Sequence, residues 1–210
     1  YNMKRYITYI LFLILSLPLL AQDAMKVLDI AADRIRNAGD IEIEYKASIF
    51  SGATEKASAT GTMWLRENQM KLDAEGITTW YDGKTRWCYV PASNEVNIDE
   101  PSKKEMAAMN PYTFMGMYKK GFKMTVKETV LRGEAVYEVY LKARYAKMDV
   151  KEIYVDIRKS DYQPLCIRVR ESNDWQRVSI TNFKSNLQFE NEFFTFPANE
   201  YPNALINDMR

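Results

Sequence analysis

From Ile41 onward the chain keeps a period of two, stretch after stretch, with turn residues between. Ile41, Ile43, Tyr45, Ala47 and Ile49 alternate with Glu42, Glu44, Lys46 and Ser48, the pattern of a half-buried strand. Further strands are predicted at 55–66, 69–74, 77–81, 85–90, 94–98, 122–131, 135–146, 151–159, 164–171 and 175–183, with a short piece at 193–196. Asp82-Gly83 reads as a tight primed hairpin turn, and Arg132-Gly133-Glu134 and Ser160-Asp161-Tyr162 as further turns. Short strands at this spacing specify a large antiparallel sheet, curled into a barrel or half-barrel. With 47% hydrophobic and 13% aromatic residues, the chain can bury a substantial core in one domain.

Two segments break the alternation. Asp23 is positioned to cap a helix over 24–35, in which Leu28, Ala31, Ala32 and Ile35 form one apolar stripe and Gly39 supplies the stop. Between about 102 and 120, Ser102 is placed to cap a first helix, Asn110-Pro111 restarts a second, and Gly121 ends it. That insert holds Met106, Met109, Met115 and Met117, four of the eleven Met. Flexible thioether side chains suit either a surface that repacks around apolar partners or an ordinary core under a crossover helix.

Ahead of the first helix lies an export signal. Lys4 and Arg5 follow Met3, read as the start, and an apolar run from Ile10 leads through Pro18 to the small residue Ala21. The run is too short for a membrane span and is interrupted by Pro18. Residues 1–21 are therefore expected to be a signal peptide cleaved after Ala21, leaving a single domain over 22–210. Gln22 and Asp23 stand where a lipid-bearing Cys would be needed, so the exported chain is expected to be soluble. It carries 27 basic against 28 acidic residues, with no bulk charge to recruit nucleic acid. Cys88 and Cys166 either pair across a long loop or remain free thiols; spacing does not decide between them.

Catalytic chemistry is thinly supplied. The chain has no His, which removes His-based triads, His-ligated zinc and imidazole-held haem. No phosphate-binding glycine loop is present, and the acidic pairs Asp73/Glu75 and Asp99/Glu100 read as solvated turn charges. Asp156 falls on the polar phase of its strand with Tyr154 and Arg158 and reads as surface. No cofactor, metal or enzymatic activity is expected.

Bulky groups nonetheless fall on both phases of several strands: Trp64 beside Met63 and Leu65, Trp80-Tyr81, and Trp87-Cys88-Tyr89-Val90. A sheet with two apolar faces needs cover on both, or it lines a cavity. The N-terminal helix and the Met-rich insert are the available covers, so a curled sheet with helices across an apolar mouth is one solution and a filled core the other.

Several stretches, in order, resemble the periplasmic lipoprotein carrier family LolA. Gly61-Thr62-Met63-Trp64-Leu65-Arg66 followed by Met70-Lys71-Leu72 is similar to its strand pair. Tyr81-Asp82-Gly83-Lys84-Thr85-Arg86-Trp87-Cys88-Tyr89-Val90-Pro91 is similar to its aromatic hairpin. Asn110-Pro111-Tyr112-Thr113-Phe114-Met115 resembles its lid helix, and Phe193-Phe194-Thr195-Phe196-Pro197 its closing strand. The resemblance implies an α+β, mainly antiparallel, unclosed half-barrel of about eleven strands with an N-terminal helix and a helical lid. It implies a monomeric periplasmic carrier that takes acylated lipoproteins from an inner-membrane lipoprotein-releasing transporter to an outer-membrane acceptor, with no nucleic acid involved. Its hydrophobic cavity would be lined by Trp64, Met70, Leu72, Trp80, Trp87, Tyr89, Met109, Phe114, Met115, Met117 and Tyr118. The family's lid latch, an Arg that bonds lid carbonyls, falls at Arg66 with a one-residue gap, Glu67 standing at the ungapped position. The same half-barrel occurs in RseB-like regulators that sense lipid and a protein partner, and a general lipid-binding protein is the remaining alternative. RseB-like regulators add a second C-terminal domain, and with 13 residues after Pro197 that reading is expected to lose ground.

Overall fold

The computed structural model describes residues 17–102, 105–106 and 121–210. A helix, α1 (Leu17–Arg36), is followed by twelve strands: β1 (Asp40–Ser51), β2 (Thr54–Arg66), β3 (Gln69–Ala74), β4 (Ile77–Tyr81), β5 (Arg86–Val90), β6 (Glu95–Asp99), β7 (Phe122–Leu131), β8 (Glu134–Ala143), β9 (Val150–Arg158), β10 (Pro164–Glu171), β11 (Asp174–Leu187) and β12 (Leu205–Asp208). They form one sheet in the order β12-β6-β5-β4-β3-β2-β1-β11-β10-β9-β8-β7. Every pairing is antiparallel except β12 on β6. The ends of the sheet, β12 and β7, are not joined, which leaves an unclosed half-barrel.

Alternation fixes which residues share a face. Ile41 and Ile43 lie opposite Leu65 and Met63, and Leu65 lies opposite Met70. These residues pack with Val139 and Leu141 of β8 and Ile153, Val155 and Ile157 of β9 against one stripe of α1, formed by Ala24, Val27, Leu28, Ala31 and Ile35. Met70 of β3 and Phe122 of β7 are far apart in strand order yet share this core. That is possible only if the sheet curls around α1, so the helix-facing side is the concave one. Arg34 pins the end of α1 to the β9–β10 turn through Asp161 (2.9 Å) and Gln163 (3.3 Å). Gly39 then turns the chain at φ +66° into β1.

The other face has its own cover. Trp80, Val96, Ile98 and Phe196 form a second core, with Trp87, Tyr89 and Tyr201 packed against it. The covering piece is the C-terminal segment. The strand expected at 193–196 is instead a 3-10 turn, Asn191–Phe194, followed by a second, Ala198–Glu200, and the closing strand is β12. Aromatic residues here serve as plugs into the sheet rather than as rungs of it.

Four further readings are corrected. Asp23 does not cap the helix; it lies inside α1, which begins by Leu17. The Asp82-Gly83 turn is longer than two residues, the Asp82 carboxylate accepting the N–H groups of Lys84 and Thr85 at 2.8 Å each. Asp156 keeps the polar phase but is only 3% exposed, because Arg168 lies beside it. Asp99, read as a solvated turn charge, closes β6 and accepts from Arg86 Nε (2.9 Å).

Arg66 ties the C-terminal cover to the sheet. Its guanidinium grips the Asp40 carboxylate on β1 in fork fashion (2.9 and 2.6 Å) and donates to the Phe189 carbonyl and to Asn191 (3.2 Å). The Phe189 N–H donates to the same Asp40 carboxylate (2.9 Å). Arg66 holds the Asp40 carboxyl below its ordinary range, and the contact is half-shielded from water. Such a carboxylate stabilises the fold fully above the ordinary carboxylate pKa, and loses that contribution as pH falls through its own lowered value. Asp40→Asn is therefore expected to cost about 2 kcal/mol at pH 7. Urea titrations should show the gap from wild type narrowing below about pH 4; a gap that stays constant to pH 3 contradicts the assignment.

Candidate functional site

Among the described residues, the concave face is covered over only part of its length. On β1, Ile41 is 0% and Ile43 6% exposed beneath α1, whereas Ile49, on the same face of the same strand, is 46% exposed. Val178, opposite Ala47 on β11, is 38% exposed, and Ile77 on β4 is 42% exposed. Between them the floor is made of small side chains: Ala47 faces Ala59, and Ile49 faces Ala57. The result is a shallow apolar trough continuing from the core into solvent.

Gly61 shapes the middle of that trough. A Cβ there would lie 2.7 Å from both the Asp73 carbonyl oxygen and the Tyr45 hydroxyl, and 2.9 Å from Tyr45 Cζ. The Tyr45 ring therefore lies flat across the bare glycine backbone. Burial, helped by the Asp73 charge, pushes its phenol above the usual range, so it stays a neutral phenol on an apolar floor.

The proposed cavity residues divide between the two faces. Met70, fully buried, and Leu72, half-buried, lie on the concave side, registered with Leu65 and Met63. Trp64, Trp80 and Trp87 run in register with Lys71 on the opposite side, and Tyr89 follows Trp87 by two residues. There Trp64 meets Phe193 (5.8 Å between ring centroids), Trp80 meets Phe196 (5.5 Å) and Tyr89 meets Tyr201 (4.5 Å). Lys71 Nζ sits 4.6 Å from the Phe193 ring. These six residues do not line one cavity, because alternation within each strand and the register between strands place Met70 and Leu72 on one side and Trp64, Trp80, Trp87 and Tyr89 on the other.

Met109, Phe114, Met115, Met117 and Tyr118 lie outside the described residues. The start of their segment is described. Ser102 and Glu105 form a capping box, with Glu105 Oε2 accepting from Ser102 N–H (2.8 Å) and its hydroxyl (2.6 Å). Met106, 7% exposed, then enters the main core. The partners of Arg66 among the described residues make it a latch on the C-terminal segment. Cys88 and Cys166 are free; β4, β3, β2, β1 and β11 separate their strands, and they point to opposite faces. Among the described residues, no helix is long and apolar enough to cross a membrane.

The trough itself escaped the sequence reading. Its signal was the run of small residues at Ala57, Ala59 and Gly61 on one phase of β2, which marks a floor rather than a wall.

A family model described as outer membrane lipoprotein carrier protein LolA matches residues 16–173. No curated protein matches the chain in sequence. Among solved structures, an uncharacterized conserved protein from Thermus thermophilus is similar with a TM-score of 0.59 at 12% identity, over 89% of this chain and 99% of that one. The Mycobacterium tuberculosis lipoprotein LppX gives 0.53 at 9% identity, over 80% and 99%. LprF from Mycobacterium bovis gives 0.52 at 9% identity, over 80% and 96%. At these identities the likeness is one of fold.

Gly61→Ala should cost about 1–3 kcal/mol, since the Asp73 carbonyl is backbone and cannot swing aside. In urea unfolding, Tyr45→Ala combined with Gly61→Ala should recover only part of the loss. Full recovery would mean that the tyrosine ring alone sets the requirement for glycine.

Proposed function

Because the chain belongs to the outer membrane lipoprotein carrier protein family LolA, we propose that it is a periplasmic carrier rather than an enzyme. It shields the acyl chains of lipoproteins in its apolar trough between an inner-membrane transporter and an outer-membrane acceptor. One observation carries the reading: a single strand runs from a fully buried Ile41 to a half-exposed Ile49 on one apolar face. Such a face binds a flexible apolar chain without a built pocket for any one headgroup.

The energetics favour partial cover. Burying a methylene is worth about 0.8 kcal/mol, so complete burial of three long acyl chains would gain on the order of 30 kcal/mol. Non-covalent affinity saturates near roughly 20 kcal/mol, and a carrier that bound so tightly would not release its cargo. A trough open to water along one side keeps part of each chain exposed and the complex reversible. Cleavage after Ala21 is part of the same proposal. It would remove the start of α1 and leave the Ala24, Leu28, Ala31 and Ile35 stripe intact.

Native mass spectrometry of gently purified protein is expected to show bound acyl lipid. In a fluorescent fatty-acid displacement assay, Ile49→Glu should weaken binding at least about tenfold, equivalent to about 1.4 kcal/mol. Thr125→Glu, on the exposed edge of β7, should leave it unchanged. A wild-type protein that neither carries lipid nor binds the probe would overturn the proposal.

A further inference from the structure

The face of the sheet away from α1 carries a second feature, over β7 to β11 and β1. A cleft of about 520 Å³ opens there, with Lys46, Arg132, Arg168 and Arg177 reaching its walls beside Glu138 and Asp156. Lys127 lies on Glu138 (2.8 Å), and Glu55 lies between Lys46 (3.1 Å) and Arg177 (3.7 Å). Among the described residues, then, five cations meet three carboxylates around one cleft.

Two arginines are held ready. The Arg168 guanidinium lies 4.5 Å from the Tyr154 ring centroid and that of Arg177 4.5 Å from the Phe50 ring. Stacking fixes the plane of each guanidinium; Arg168 already donates to Glu138 (2.7 Å) and lies 3.5 Å from Asp156, whereas Arg177, 3.7 Å from Glu55, keeps the freer N–H edge for a planar or tetrahedral oxyanion. The Nε–H groups of both are buried without a hydrogen-bond partner, although each group could donate.

Arg132 is the third piece. It sits at φ +53° in a two-residue turn with Gly133 at φ +82°, a conformation that Asn, Asp or Gly adopts at least cost. Turn chemistry does not ask for arginine here. Its guanidinium reaches the Ile180 carbonyl on β11 (3.1 Å), at the bulge where Thr181 is left out of the β1–β11 pairing. The hairpin tip thus leans over the cleft and brings a cation with it.

We propose that this cleft binds a phosphate-bearing anion. A phosphate monoester carries close to two negative charges at pH 7 and three strong acceptor oxygens, which matches the surplus of two cations and the fixed arginine edges. The volume lies within the roughly 300–1,000 Å³ of small-molecule sites, which leaves room for the group esterified to the phosphate. A ladder of cross-strand ion pairs alone would be balanced in charge and would not call for Arg132. The proposal does not depend on acyl binding in the trough, which lies on the other side of the same strands.

The test is isothermal titration calorimetry of the whole chain at low salt with glycerol 3-phosphate, run beside sedimentation with phosphatidylglycerol and phosphatidylcholine vesicles. Arg132→Asn removes the cation while suiting the turn, so its thermal midpoint should equal or exceed that of wild type. Arg177→Gln gives a second variant, and Lys84→Met, in the β4–β5 turn, controls for net charge. Saturable binding of glycerol 3-phosphate, weakened at least tenfold in both arginine variants and not in Lys84→Met, supports a soluble phosphate ester. Binding to phosphatidylglycerol vesicles alone, lost in the same variants, supports a lipid headgroup as the source of the phosphate. Binding to neither, or binding that the arginine variants leave unchanged, overturns the proposal.

Discussion

A sheet that stops short of closing, and that carries bulky apolar groups on both faces, has to be covered from both sides by chain that is not strand. Everything else in this structure follows from that requirement. α1 fills the concave side with a stripe of Ala24, Leu28 and Ala31, small enough at two positions to bring the helix close to β7 and β8. The C-terminal segment closes the convex side over Trp80 and Trp87 with Phe196 and Tyr201. Neither cover belongs to a regular packed layer, so each needs a fastening. Arg66 supplies one for the C-terminal segment: a half-buried ion pair with Asp40 whose remaining donors hold Phe189 and Asn191. Removing either partner would leave the other charge shielded and unpaired, which is why the pair matters more than an exposed bridge such as Arg36–Asp33.

The incompleteness of the concave cover is as consequential as its presence. A helix of twenty residues spans about 30 Å, enough to roof one part of a curled sheet but not all of it. The side chains left uncovered do not become polar toward the far ends of β1 and β11; they remain Ile49 and Val178. A sheet face built only for stability would have switched to polar residues there, as the other phase of β1 does with Glu44, Lys46 and Ser48. Small residues in the floor lower it further, and Gly61 does so at a point where no other residue fits under Tyr45.

Much of this was legible from period alone. The positions of β1 to β11, the α1 stripe, the stop at Gly39 and the Ser102 cap all come from local rules, and each is found close to where local rules put it. The face on which each tryptophan lies was not legible in the same way. Alternation separates Trp80 from Tyr81 within a strand, but only the register with Lys71 and Trp87 says which of them shares a side with α1. The 193–196 segment misled for a related reason. A short aromatic run fits a buried strand and a set of plugs equally well, and only the second core distinguishes them. β12 had no local signal, since a parallel partner such as β6 comes from distant sequence without a hairpin turn. Asp156 reads as surface by phase because phase gives the face, not the depth; Arg168 and the leaning Arg132 hairpin supply the depth.

The two faces of β1 and β11 carry opposite chemistries one residue apart. Ala47, Ile49 and Val178 look into the trough, while Lys46, Arg177 and Ser179 look into the cleft. A slip of one residue in this pairing would exchange the sets, putting arginine and lysine on the apolar floor. The pairing contains a bulge, between Glu44 and Tyr45 on one strand and around Thr181 on the other. That bulge shifts the phase of β11 so that Ile180 and Phe183 both face inward with Tyr45 and Ile43, which plain alternation could not achieve. It also frees the Ile180 carbonyl that Arg132 grips from across the sheet. Of the two register shifts in this pairing, the one at Thr181 sets the phase of the trough, and the same irregularity gives the cleft its overhanging wall.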